Sequence, residues 1–190
     1  MHLSLVTLLG HSVDNFRRLY HELRPAADSW RVVHSADMPE GLPIDCSFCT
    51  YMLDVLPDGW DAGRLRTQAV QNSSGVDWFF HIDSDEWMTR GQLFRLRESL
   101  QHVDAKYTVV HIPRRNVGPP GDWLGWPDLR PMVHRPSITW RGRVEESVTA
   151  DNLHMVAIDA VPDNALLHLQ FNRDVRLLAQ SRRNDAKRHE

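Results

Sequence analysis

The sequence predicts an α/β fold: one domain with a mostly parallel central sheet, flanking helices and short additional strands in its C-terminal half. Three observations predict it. Residues 3–9 are a nearly continuous apolar run with little alternation, the pattern of a strand buried on both faces of a parallel sheet. Residues 30–34 make a second short strand with a helical stretch between the two, and strand, helix and strand within about 35 residues read as a βαβ unit. Further on, the apolar run 76–82 breaks into three carboxylates, Asp83, Asp85 and Glu86, at the carboxyl end of a strand, where open α/β sheets place their ligands.

Each element has its own signal. Ser12 is the N-cap of the first helix, Phe16, Leu19, Tyr20 and Leu23 recur at helical spacing, and Pro25 ends it. Residues 35–59 are rich in Pro, Gly and Asp around a short apolar island at 51–56 and are the least readable part. Ala62, Leu65 and Ala69 form a weak helical stripe that residues 72–75 close. Thr89 caps a third helix whose Leu93, Leu96, Leu100 and Val103 recur at spacings of three and four. Residues 107–112 return as a strand. Residues 113–125, with Arg114, Arg115, consecutive prolines and several glycines, read as a loop over a site or a long connection. Short strands are expected at 132–134, 138–140, 155–158 and 166–171, then a basic helix or tail over 172–190.

A chain of 190 residues with 42% apolar content suits one compact domain. Its apolar runs fall well short of the ~18–20 residues that span a bilayer, and its N-terminus lacks the features of a signal peptide, so a soluble, cytoplasmic protein is expected. The formal charge of −3 argues against a general nucleic-acid binder. The sign is uneven, since residues 171–190 carry six Arg and Lys against three Asp and Glu, a tail suited to solvent or to an acidic partner or membrane surface. Of the 22 basic residues only Lys106 and Lys187 are lysine. Arginine favours forked contacts to phosphate, although coding bias accounts for the composition equally well. Cys46 and Cys49 lack the second pair of a four-cysteine zinc site and the preceding strand of a redox motif, and read as ordinary thiols.

Along an extended chain Asp83 and Asp85 face the same way and Ser84 the other. Paired hard oxygens match Mg²⁺ or Mn²⁺, and carboxylates this crowded repel one another until a cation relieves them. The plainer reading is a solvated turn whose acids sit at the start of the next helix, and the apolar residues just before the cluster weigh against it. A haloacid-dehalogenase-type phosphatase also places Asp-x-Asp after a strand, but at its first core strand. Here about eighty residues precede the motif, and Trp87 stands where that family has Thr or Val.

The stretch Asp77-Trp78-Phe79-Phe80-His81-Ile82-Asp83-Ser84-Asp85-Glu86 resembles the Asp-x-Asp region of family 2 type glycosyltransferases with a GT-A fold. Four later segments resemble the branch related to lipopolysaccharide-core transferases: Arg114-Arg115-Asn116, Trp126-Pro127-Asp128 through His134-Arg135, Trp140-Arg141-Gly142-Arg143-Val144-Glu145-Glu146, and Leu167-His168. The resemblance covers about residues 60–170, in order. It departs at Gly10-His11-Ser12 and Ala36-Asp37-Met38, where the family usually has Asn-Glu and a Ser-Thr-Asp-Gly turn, and at Glu145, where it usually has His.

The resemblance implies a GT-A-like domain over 1–171, with a nucleotide-sugar and metal half at 1–86 and an acceptor half at 87–171. It implies a metal-dependent glycosyltransferase that inverts the anomeric centre, using Mn²⁺ or Mg²⁺, a nucleoside-diphosphate sugar donor and an acceptor hydroxyl on a glycan, lipid-linked or protein substrate. Asp85 holds the cation, Asp83 lies on its metal or ribose side, and His168 completes the metal site or is a core histidine. Arg66 or Arg115 supports the leaving diphosphate, Asp37 makes a base or ribose contact, and Trp126 stacks on a sugar or packs its loop. Glu146, with Glu145 second, is the base, or both are exposed strand-end charges. The rivals are a metal-dependent nucleotidyl or phosphoryl transferase on the same carboxylates and a non-catalytic nucleotide- or glycan-binding GT-A-like domain.

Overall fold

The computed structural model describes residues 1–9, 13–34, 49–53, 61–117, 123–142 and 147–169. Ser12, Asp37, Cys46, Glu145, Glu146 and the tail 172–190 lie outside the described residues. In chain order the elements are β1 (Leu3–Leu9), α1 (Val13–Leu23), β2 (Ser29–His34), β3 (Cys49–Leu53), α2 (Ala62–Val70), β4 (Trp78–His81), β5 (Glu86–Trp87), α3 (Arg90–Gln101), β6 (Val109–Val117), β7 (Trp123–His134), β8 (Thr139–Arg141), β9 (Ser147–Thr149), β10 (Met155–Ala157) and β11 (Leu166–Leu169).

Among the described residues nine strands form one sheet in the order β3-β2-β1-β4-β7-β6-β11-β5, with β10 also paired to β6, while β8 and β9 form a separate hairpin. The N-terminal strands are parallel: β1 pairs with β2 and β4, and β2 with β3. Beyond β4 the sheet is mixed, because β7 runs antiparallel to both β4 and β6, and β5 antiparallel to β11. β6 is nonetheless parallel to both β10 and β11, so five of the eight described strand pairs in this sheet are parallel and the expectation of a mostly parallel sheet holds, with the antiparallel pairs confined to the second half.

Every residue of β1 is buried, Ser4 and Thr7 included, which accounts for its unbroken apolar reading. Helices cover both faces of the sheet. On one face Phe16, Leu19 and Leu23 of α1 and Leu93, Leu96 and Leu100 of α3 join Leu3, Leu5, Trp30 and Phe80. On the other Leu65, Ala69 and Val70 of α2 pack on Val6, Leu8, Val33 and Phe79. Each such large side chain contributes about 1.5–3 kcal/mol on leaving water. The start of α3 has a full capping box, with Thr89 accepting from the Gln92 N–H and Gln92 returning a bond to the Thr89 N–H. No helix among the described residues is long and apolar enough to cross a membrane.

The loop expected over residues 113–125 is mostly strand. β6 continues through Arg114, Arg115 and Asn116 to Val117, and β7 begins at Trp123 and runs without a break through the short strand expected at 132–134. Charged residues persist in these strands because they are paired across them: Arg114 lies opposite Asp128, and the two form an ion pair at 2.8 Å. Register shifts between β6 and β7, at Val110/Ile112 and Arg114/Asn116, absorb the irregular stretch around the cis Trp126-Pro127 bond.

Candidate functional site

The chain runs outward from β1 to β2 and β3, then returns to place β4 on the other side of β1. The crevice at the carboxyl ends of β1 and β4 is thus a topological switch point, the usual ligand position in open α/β sheets. The acidic cluster begins there. The Ile82 N–H donates to the Val6 carbonyl at 2.9 Å. The Ile82 carbonyl accepts from the Thr7 hydroxyl at 2.6 Å, and Thr7 in turn accepts from the indole N–H of Trp30 at 3.0 Å.

The four residues that follow are a closed turn, not the extended segment expected from the sequence. The Glu86 N–H donates to the Asp83 carbonyl at 3.0 Å, and the Asp83 N–H donates to Glu86 Oε2 at 2.9 Å. Folding back satisfies both backbone groups, and it removes the alternation that would have aimed Asp83 and Asp85 together. The two aspartates instead meet different partners.

Asp83 is gripped by Arg66 of α2, whose Nη1 and Nη2 lie 3.2 and 2.5 Å from its two carboxylate oxygens. Behind this fork runs a buried hydrogen-bonded chain. Arg66 Nη1 lies 3.3 Å from His81 Nδ1, and His81 Nε2 lies 2.7 Å from His134 Nε2. Trp140 Nε1 also reaches His134 Nε2, at 3.0 Å, while His134 Nδ1 lies 2.7 Å from the Arg135 carbonyl. The ends fix the tautomers. A carbonyl only accepts, so His134 carries its proton on Nδ1 and accepts at Nε2 from both His81 and Trp140. His81 therefore carries its proton on Nε2 and accepts at Nδ1 from Arg66. Burial keeps both rings neutral: it pulls His134 down to about 4, and it takes His81 well below its ordinary value with help from the charges of His134 and Arg66.

Asp85 belongs to a second network. Its Oδ2 lies 3.4 Å from His168 Nε2 on β11. His168 Nδ1 donates to Asn116 Oδ1 at 2.8 Å, because Asn116 spends its amide nitrogen on Asp128 at 3.0 Å. Asp128 also holds Arg114 at 2.8 Å and Arg130 at 2.8 Å. Burial acts to raise the Asp85 carboxyl, but His168 and the charge of Arg114 hold it below its ordinary value. Asp128 is likewise held low, with Asn116, Arg114 and Arg130 outweighing its burial. Glu86 is fully enclosed, with Arg114 at 3.5 Å; desolvation and then the negative charge of Asp83 push it up to about 7.

With Nδ1–H committed to Asn116, His168 turns its Nε2 toward the Asp85 carboxylate. Either a proton on Nε2 or a metal cation between the two groups completes that contact. One imidazole and one carboxylate form a donor set that suits Mn²⁺, and Mg²⁺ where ligand oxygens supply the rest. No group of three His, Cys, Asp or Glu converges among the described residues, so Asp83 does not join Asp85 and His168.

Of the other residues singled out in the sequence, Arg115 pairs with Leu167, the neighbour of His168, and so lies on the opposite face of β6 from Asn116 and His168. Trp126 is half-buried on β7 beside its cis proline. His81, His134, Trp140, Asn116 and Asp128 were given no role by sequence reasoning. The available signal was a histidine inside an apolar strand at 81, and another at 134: a polar side chain that a buried strand keeps only with partners.

The chain matches no protein-family model and no curated protein sequence. It does match solved structures. S. aureus TarS, residues 1–349, superposes with a TM-score of 0.56 at 11% identity over 89% of this chain and 60% of the TarS chain. The same protein in complex with UDP-GlcNAc gives 0.57 at 13% identity over 90% and 59%. A 4-diphosphocytidyl-2C-methyl-D-erythritol synthase from Anaerococcus prevotii gives only 0.49 at 8% identity, over 93% of each chain. The fold is GT-A-like. This chain spans about 60% of the length of the TarS chain it matches.

Proposed function

We propose that this chain is a metal-dependent glycosyltransferase that moves a sugar from a nucleoside-diphosphate sugar to an acceptor hydroxyl with inversion, as a soluble cytoplasmic enzyme of the family 2 type. The observation that carries the reading is Asp85 facing the metal-ready nitrogen of His168 at the switch point of a GT-A-like sheet. It is supported by TarS, which shares the fold and has been captured with UDP-GlcNAc.

In this reading Asp85 and His168 hold Mn²⁺ or Mg²⁺, which neutralises charge on the leaving diphosphate when bound. Arg66 fixes the direction of the Asp83 carboxylate, so that Asp83 accepts a hydrogen bond from the donor ribose. Glu146, or Glu145 beside it, takes the proton of the acceptor hydroxyl as that oxygen attacks the anomeric carbon, from within hydrogen-bond reach. Asp37 adds a ribose contact and Trp126 a stacking face, while Arg115, on the opposite face of β6 from His168, is left out of the diphosphate site.

The test is incubation with Mn²⁺ and a panel of UDP-, GDP- and other nucleotide sugars. Wild type is expected to release nucleoside diphosphate, and Asp85→Ala to do so at least about 100-fold more slowly. Release of pyrophosphate would point to nucleotidyl transfer. Thermal stabilisation by nucleotide without turnover, unchanged by Asp85→Ala, would leave a binding domain and sink the catalytic reading.

A further inference from the structure

We propose that His81, His134 and Trp140 are positioning residues, whose buried hydrogen-bonded chain locks the Arg66 guanidinium onto Asp83 and ties that ion pair to the β8–β9 hairpin. The inference deepens the functional reading above and rests on its assignment of the donor side to the acidic turn and the acceptor side to the segment between β8 and β9.

Four elements meet in this chain: α2 through Arg66, β4 through His81, β7 through His134 and β8 through Trp140. All three aromatic side chains are buried, and the two imidazoles lie nearly coplanar and edge to edge across their Nε2 atoms, with centroids 4.9 Å apart at 21°. Trp140 meets His81 edge-on at 4.9 Å, while the Arg66 guanidinium lies 5.3 Å from the centre of the Trp140 ring. The guanidinium is thus confined by an imidazole acceptor and an indole face, leaving its fork directed at Asp83.

The direction of the hydrogen bonds makes the chain cooperative. Each imidazole donates at one nitrogen and accepts at the other, so reversing either tautomer would set a donor against a donor or turn the Nδ1 lone pair of His134 onto the Arg135 carbonyl. Only one arrangement satisfies every member. It joins the aspartate at the carboxyl end of β4 to the hairpin whose strands flank residues 143–146, and Glu145 and Glu146 lie in that segment. The hairpin is held on its other side by α2 itself. The Thr67 hydroxyl accepts from the Trp140 N–H at 2.8 Å and donates to its carbonyl at 3.0 Å, and the Gly63 N–H donates to the Gly142 carbonyl at 3.0 Å. Backbone contact anchors the hairpin, and the Trp140 indole sets its angle relative to Asp83.

Three variants separate positioning from mere packing. His134→Gln keeps an acceptor where Nε2 stood, His134→Asn keeps only a donor where Nδ1 stood, and Trp140→Phe keeps the ring but loses the N–H. With the donor sugar identified, His134→Asn and Trp140→Phe are expected to lower kcat for donor hydrolysis at least about tenfold with donor KM within about twofold. His134→Gln is expected to recover most of the loss. Equal kcat across all three, with changes confined to Tm, would reduce the chain to core packing.

A second readout is independent of turnover. ¹⁵N spectra of the imidazoles should report His81 protonated at Nε2 and His134 at Nδ1 at neutral pH. Hairpin amides should exchange at least about tenfold faster in His134→Asn than in His134→Gln. The opposite tautomers, or equal exchange in the two variants, overturn the proposal even if donor turnover is confirmed. A wild type that turns over no donor but shows these tautomers and this exchange difference overturns the glycosyltransferase reading and leaves the lock standing.

Discussion

The two aspartates of one four-residue turn sit in opposite electrostatic settings. Asp83 meets a network with one ion pair at its end and neutral rings behind it, whereas Asp85 and Glu86 meet one crowded with charge, in which Arg114, Arg130, Asp128 and His168 share a few oxygens. The first setting is complete without a ligand. The second sets His168 Nε2 against Asp85 Oδ2 at 3.4 Å, a contact that a proton or a ligand cation completes. Spacing of two residues does not make two aspartates equivalent; their partners across the sheet decide what each can do.

The largest effect is expected from Arg66→Met, which strips the charge from a buried fork and strands Asp83 beside Glu86. Loss of one member of such a pair costs about 3 kcal/mol, the low end of the usual range because Asp83 keeps some solvent contact. Urea denaturation measures it, and a loss under about 1 kcal/mol would show that the first network is not a unit. Next comes Asn116→Leu, which frees the His168 ring. Mn²⁺ affinity, read from thermal-shift titration without nucleotide, should fall about 10-fold, as for other groups that orient a metal-binding histidine. Unchanged affinity would mean that the Asn116 bond does not prepare the site.

The smallest effect, and the sharpest contrast, is in pH. His134 titrates near 4 when folded against an ordinary value of 6.5, so between these limits the unfolded chain binds the extra proton and stability rises with pH. Glu86 titrates near 7 when folded against 4.5, so between those limits the folded chain binds the extra proton and stability falls as pH rises. Across roughly pH 4.5–6.5 the two networks oppose each other. In metal-free buffer, Glu86→Gln should steepen the loss of Tm on acidification over that window, and His134→Gln should flatten or reverse it. Parallel Tm curves for both variants and wild type would contradict the assignment of either group.

The parts of the fold that lie close in sequence were legible. The unbroken apolar stretch of β1, the helical spacing of α1, the cap of α3 and the position of the acidic turn after β4 all follow from local pattern. What failed was non-local. Arg114, Arg115 and Asn116 look like loop residues until β7 and β11 supply their partners, and Pro127 looks like a break until a register shift accommodates it. The same limit applied to the site. That Asp85, Glu86 and His168 would meet was partly readable, but that Arg66 would take Asp83 depended on α2 crossing the carboxyl end of β4. No spacing within the chain encodes that crossing.

β5 has only two residues, and it is the last strand in the described order of the sheet. A sheet edge is a template for a stranger's strand, and proteins blunt it by keeping it short or placing charge on it. Here the acidic turn, closed by Glu86, keeps the edge short, leaving only Glu86 and Trp87 to pair with β11. The turn therefore also guards the molecule against edge-to-edge association, and substitutions that lengthen β5 or make it apolar are expected to reduce solubility before they reduce folding, which static light scattering during refolding would detect.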